Sequence, residues 1–128
     1  MIKTRILVID DEKDFLDLLK EKLELEGYEV STAVDGEEGL INAQVSQPDV
    51  VICDVRMPKK DGFAVLKELK KNPNFRAPFI MLTAVDDFDR IREAYQEKAD
   101  FYVTKPVKLE KLLKNIRILL NLRGPHSS

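Results

Sequence analysis

One cysteine and one histidine are all that the 128 residues offer of the usual soft metal ligands, and the charges nearly cancel. Cys53 cannot close an internal disulfide and has no metal-ligand spacing around it, so a reducing compartment is expected. His126 stands near the C-terminus without catalytic company. Against 23 Asp+Glu there are 21 Lys+Arg, a formal net charge of -2. Such a balance supplies no basic stripe for nucleic acid and no polybasic anchor for a membrane. Long apolar runs are missing too: none approaches the ~20 residues of a membrane helix. The run Ile6 to Ile9 behind Met1–Arg5 is too short for the core of a signal peptide. What remains is 44% hydrophobic and 34% charged residues, the make-up of a soluble globule with one core. A single cytoplasmic domain is the expectation.

The chain alternates short β-branched runs with segments of helical period. Ile6-Leu7-Val8-Ile9 is continuously apolar, as expected of a strand covered on both faces. Phe15, Leu16, Leu19 and Leu23 then recur at helical spacing, and Gly27 stops that helix. Tyr28 to Val34 reads as a second strand, followed by Asp35 placed to cap a second helix with Glu38 three residues on. Beyond Pro48, Val50-Val51-Ile52-Cys53 is a third strand. Phe63, Leu66 and Leu69 mark a third helix closed by Asn72-Pro73-Asn74. Phe79-Ile80-Met81-Leu82 is a fourth strand, Ile91, Ala94 and Tyr95 belong to a fourth helix, and Phe101-Tyr102-Val103 is a fifth strand. Leu109, Leu112, Leu113, Ile116, Leu119 and Leu120 stripe a last helix that ends at Gly124-Pro125. Strict alternation predicts an α/β fold, a doubly wound parallel five-stranded sheet, of which the flavodoxin-like (βα)5 three-layer sandwich, order 2-1-3-4-5, is a common and expected form.

In such a sheet, ligands sit beyond the carboxyl ends of the strands, and the unusual polar residues fall there. Asp10-Asp11 follow the first strand, Asp54 the third, Thr83 the fourth and Lys105 the fifth. Three clustered carboxylates repel one another and need compensation. Lys105 offsets one charge, and a hard divalent cation such as Mg²⁺ would offset the rest. One carboxylate can then attack phosphorus to form an aspartyl-phosphate. The metal, Lys105 and the Thr83 hydroxyl would neutralise the transferring group.

Ile9-Asp10-Asp11-Glu12, Cys53-Asp54-Val55-Arg56-Met57-Pro58 with Gly62, Leu82-Thr83-Ala84 and Tyr102-Val103-Thr104-Lys105-Pro106 together resemble a response-regulator receiver domain. The likeness runs from the first strand to the last helix, so residues 1–123 are expected to form the receiver domain and 124–128 a disordered tail or expression remnant. It implies that Asp54 is the phosphoacceptor, that Asp11 and Asp54 ligate Mg²⁺ directly, Asp10 through water, and that the backbone carbonyl of Arg56 completes the set. It further implies that Thr83 and Lys105 contact the phosphoryl oxygens, that Tyr102 is a switch aromatic coupled to Thr83, and that the Lys105-Pro106 bond is cis. The partners implied are a sensor histidine kinase or histidine phosphotransfer protein as donor, and an output domain or downstream protein as target. Lys98 and Phe101 depart from the family's usual Gly and Asp, and Val107 from a common Phe.

Each residue has a plainer reading: Asp10-Asp11 as helix caps, Asp54 as a turn residue, Thr83 as a β-former, Lys105 as surface, Tyr102 as half-buried packing. Other functions compete for the same residues. A flavin carrier needs a Gly/Ser/Thr-rich first loop to cradle phosphate, and Asp10-Asp11-Glu12-Lys13-Asp14 is acidic. An Asp-nucleophile phosphohydrolase needs a carboxylate two residues after the nucleophile, where Arg56 stands. A receiver-like interaction module that is never phosphorylated is the remaining alternative.

Overall fold

The computed structural model describes residues 2–84 and 99–122. The five strands are β1 (Arg5–Ile9), β2 (Glu29–Ala33), β3 (Val50–Asp54), β4 (Phe79–Thr83) and β5 (Phe101–Thr104). They form one sheet, β2-β1-β3-β4-β5, every neighbouring pair parallel. The helices among the described residues are α1 (Lys13–Leu25), α2 (Gly36–Ser46), α3 (Gly62–Lys70) and α4 (Leu109–Leu122). The expected architecture and strand order are therefore present. The expected helix around Ile91, Ala94 and Tyr95, the departure at Lys98 and the tail 124–128 lie outside the described residues.

Period-two alternation distributes each central strand over two cores. Ile6 and Val8 of β1, Ile52 of β3, and Ile80 and Leu82 of β4 face one way, where Leu16, Leu19 and Leu23 of α1 and Leu112, Ile116 and Leu119 of α4 cover them. Leu7 and Ile9, Val51 and Cys53, and Phe79 and Met81 face the other way, onto Ala43 of α2 and Val65, Leu66 and Leu69 of α3. A strand enclosed on both sides has no polar face to write into its sequence, which is why these runs read as continuously apolar.

Local chemistry sets the boundaries. Gly27 takes φ 96, and the Gly27 amide bonds the Glu24 carbonyl at 3.0 Å, closing α1 with the left-handed residue such a stop requires. The Tyr28 amide still bonds back to Leu23 at 3.3 Å, so β2 starts one residue later than its apolar pattern suggests. Asp35 caps α2 by accepting from the Glu38 amide at 2.8 Å, and Asp61 caps α3 by accepting from the Ala64 amide at 2.9 Å.

Gly62 begins α3 directly beneath the end of β3. Its amide bonds the Val55 carbonyl at 2.9 Å, cinching the loop of residues 55–61. A Cβ at this position would lie 2.5 Å from the Asp54 carbonyl oxygen and 2.7 Å from Met81 Sδ. Gly62→Ala should therefore cost about 1–3 kcal/mol through overpacking, read as a fall in urea midpoint. An unchanged midpoint would show that this junction can yield without cost.

Candidate functional site

Strand order brings the acids together. In the register, Ile9 lies opposite Cys53, so the next residues, Asp10 and Asp54, leave adjacent strands side by side, roughly 4.8 Å apart in a regular sheet. The β1/β3 boundary is also where the winding of the sheet reverses, the place at which open α/β sheets leave a crevice. Asp10 is fully buried and Asp54 is 7% exposed, whereas Asp11 lies in the open. One carboxylate oxygen from each of Asp10, Asp11 and Asp54 falls within 4.8 Å of the others. Beside them is an open depression of about 430 Å³ lined by Asp11, Arg56, Met57 and Pro58. A larger cavity of about 530 Å³ lies at the opposite, amino-terminal ends of β3 and β4, among residues such as Pro48, Asp49 and Ala77, and contains none of these acids.

Lys105 reaches the acids from β5, two strands from β3. Its backbone amide is held by the Thr83 carbonyl at 2.8 Å, and the Lys105-Pro106 bond is cis, as expected. The ammonium donates to Asp10 Oδ2 and Asp54 Oδ2, both at 3.1 Å, with Glu12 Oε1 at 3.7 Å. The other Asp10 oxygen accepts from the Glu12 amide at 2.9 Å. Asp10 is thus not a helix cap: Glu12 occupies that position and makes no side-chain cap bond.

Burial first, and charge after it, sets how tightly these groups hold their protons. Burial foremost, and then the charge of Asp10, push the Asp54 carboxyl up to about 6, against the pull of Lys105. Burial also raises Asp10, opposed by the Glu12 amide and Lys105. On Lys105 burial acts to lower the value, but the hydrogen bond and charge of Asp10 with the charge of Asp54 outweigh it, and the ammonium is strengthened. Three carboxylates and one ammonium leave two uncompensated negative charges (three minus one), the charge of one divalent ion. All-oxygen donors of this kind suit Mg²⁺.

The remaining expected residues lie around this cluster. Thr83 ends β4 and is nearly buried; its hydroxyl donates to the neighbouring Ala84 carbonyl at 3.0 Å. Tyr102 is half-buried against the α2/α3 core, and its hydroxyl accepts from the Ala99 amide at 3.2 Å. Arg56 is exposed, and its backbone amide bonds the Asp54 carboxylate. Cys53 is buried, with its thiol pushed well up by burial and by the neighbouring acids, consistent with an inert packing role. Two contacts were not anticipated: Glu12 beside Lys105, and the Phe15 ring, whose centroid lies 5.0 Å from the ammonium. Phe15 reads in sequence as one more member of the apolar stripe of α1. Only its place in the first turn after the paired acids sets it apart.

The family model for the response regulator receiver domain matches residues 6–117, and the chain belongs to that family, the receiver domains of two-component signalling. Among its relatives, the transcriptional regulatory protein PrrA of Mycobacterium leprae (strain TN) is 39% identical over 120 residues, 94% of this chain and 51% of that protein. The alkaline phosphatase synthesis transcriptional regulatory protein PhoP of Bacillus subtilis (strain 168) is 40% identical over 117 residues, 91% of this chain and 48% of that protein. A response regulator receiver domain protein from Clostridium thermocellum superposes with a TM-score of 0.86 at 38% identity, covering 94% of this chain and 96% of that one. The chain spans about half the length of the curated relatives it matches. No helix among the described residues is long and apolar enough to cross a membrane.

Because folding holds protons on Asp54 and Asp10 more tightly than the unfolded chain does, their contribution is favourable below the ordinary carboxylate range. The share of Asp54 is lost as pH rises through about 6. Asp54→Asn should therefore stabilise the metal-free protein at pH 7.5, by about 1 kcal/mol once solvent screening is allowed for, and by much less at pH 4. Equal effects at both pH values, measured by urea unfolding, would contradict the repulsion account.

Proposed function

We propose that this domain is a phosphorylation switch in which Asp54 accepts a phosphoryl group from a phosphohistidine, with Mg²⁺ bound by Asp11 and Asp54 directly, by Asp10 through water, and by the Arg56 carbonyl. The observation that carries the reading is the junction of three carboxylates and one ammonium at the β1/β3 strand ends. Both Asp10 oxygens already hold donors, Lys105 and the Glu12 amide, which favours an outer role for Asp10. Asp11, exposed at the rim, has a carboxylate available to a metal.

An Asp54 oxygen attacks phosphorus, the phosphorus–nitrogen bond to the donor imidazole breaks, and an acyl phosphate remains on the side chain. Mg²⁺, when bound, supplies charge neutralisation between the carboxylates and the phosphoryl oxygens. Lys105 gives up its bond to Asp54 and meets a phosphoryl oxygen instead, while staying beside Asp10. The Thr83 hydroxyl exchanges the Ala84 carbonyl for another phosphoryl oxygen. That exchange draws on the end of β4 next to Tyr102, whose bond to the Ala99 amide is the local tie to be broken. The altered surface is what an output domain or downstream protein reads. The donor is a sensor histidine kinase or a histidine phosphotransfer protein. The domain promotes its own phosphorylation and dephosphorylation rather than turning over a separate substrate, and it acts in the cytoplasm on proteins, not on nucleic acid or membrane.

Incubation with acetyl phosphate and Mg²⁺ should add one phosphoryl group per chain, stable to neither base nor hydroxylamine. Asp54→Asn should lose at least nine-tenths of it. Undiminished labelling of that variant would refute the assignment of Asp54.

Beryllofluoride, which mimics the phosphoryl group, should shift the Ala99 amide resonance in the native domain and much less in Thr83→Ala. An equal shift in both would separate Tyr102 from Thr83 and remove the proposed coupling.

A further inference from the structure

The Lys105 ammonium has two kinds of partner. Asp10 and Asp54 are anions, and both belong to a cluster that attracts Mg²⁺. The Phe15 ring, with its centroid 5.0 Å from Nζ, is within cation–π range and carries no charge for a metal to bind. Phe15 is itself fixed. It lies in the first turn of α1 and packs against the core formed by α1, α4 and one face of the sheet. Glu12 Oε1, at 3.7 Å, belongs to a side chain that is 69% exposed, where an ion pair contributes little.

We infer that Phe15 is the positioning residue for Lys105: its ring holds the ammonium at the mouth of the acid cluster when metal and phosphoryl group draw the Asp54 carboxylate away. This rests on the reading of Asp54 as phosphoacceptor. The physical basis is a difference in competition. A carboxylate shared between Lys105 and a divalent ion gives each less than it would give alone, so the tie to Asp54 weakens before a phosphoryl oxygen takes its place. The ring quadrupole is unaffected by metal loading, and it adds no negative charge to a site already carrying an excess. Lys105 has a four-carbon stem with many rotamers, and an uncharged wall that still attracts a cation narrows that choice.

The test compares Phe15→Leu, which keeps an apolar side chain but removes the ring, with Phe15→Tyr, which keeps the ring. Ring current should displace the Lys105 Hε resonances upfield in the native domain and in Phe15→Tyr, and the displacement should vanish in Phe15→Leu. With acetyl phosphate at saturating Mg²⁺, Phe15→Leu should be labelled about 2- to 5-fold more slowly, the worth of an exposed to partly buried cation–π contact. Phe15→Tyr should stay within about 1.5-fold of native, and the Mg²⁺ affinity of both variants should be unreduced. Native labelling rates in Phe15→Leu, or an equal loss in Phe15→Tyr, would overturn the proposal. So would Lys105 resonances indifferent to the ring. Should the native domain itself accept no label, the reading of Asp54 fails, while the resonance comparison still decides whether Phe15 holds Lys105.

Discussion

Everything at this site follows from two buried carboxylates forced into proximity by sheet pairing and held in check by one ammonium. Asp10 and Asp54 are held together because Asp10 directly follows β1 and Asp54 ends β3, two hydrogen-bonded neighbours buried at every position but Arg5. The repulsion between them is a consequence of the fold, sustained by the apolar burial of β1 and β3. Lys105 relieves part of it from two strands away, and the part left over matches a divalent ion. On the proposed reading, a site with its charge already out of balance would respond strongly to a phosphoryl group, which adds about −1.5 to −2 at neutral pH.

The backbone around the cluster is built to resist that imbalance. Val55 is tied on one side to the Leu82 carbonyl and on the other to the Gly62 amide, so the segment carrying Arg56 leaves β3 in a defined direction. Asp61 then caps α3. By contrast, among the described residues the Thr83 and Tyr102 hydroxyls each make one hydrogen bond, to a near neighbour in sequence. On the proposed reading, firmly placed acids beside side chains with few ties is an arrangement through which a local charge change would move a surface.

Much of this was legible in the amino-acid order. Continuous apolar runs separated by helical stripes imply a doubly wound sheet, and strand-end positions pick out Asp10, Asp11, Asp54, Thr83 and Lys105. Those residues signal themselves because a polar side chain directly after a buried strand has no packing reason to be there. Phe15 carries no such signal, since an aromatic residue in an amphipathic helix is already accounted for by the core. Its nearness to Lys105 depends on where α1 packs relative to the loop after β5, a matter of tertiary packing. Nor does spacing reveal that Asp10 is saturated by two donors while Asp11 is free at the rim, for the two are adjacent in sequence and differ only in burial. β2 starts one residue inside its apolar pattern because the closing turn of α1 retains the Tyr28 amide.

If the charge imbalance governs the site, its acids bind one divalent ion. Calorimetric titration of the metal-free protein with Mg²⁺ at pH 7.5 tests it most directly. One ion per chain is expected, with binding at least tenfold weaker in both Asp11→Ala and Asp54→Ala. Absence of binding, or binding that neither substitution weakens, would contradict the account.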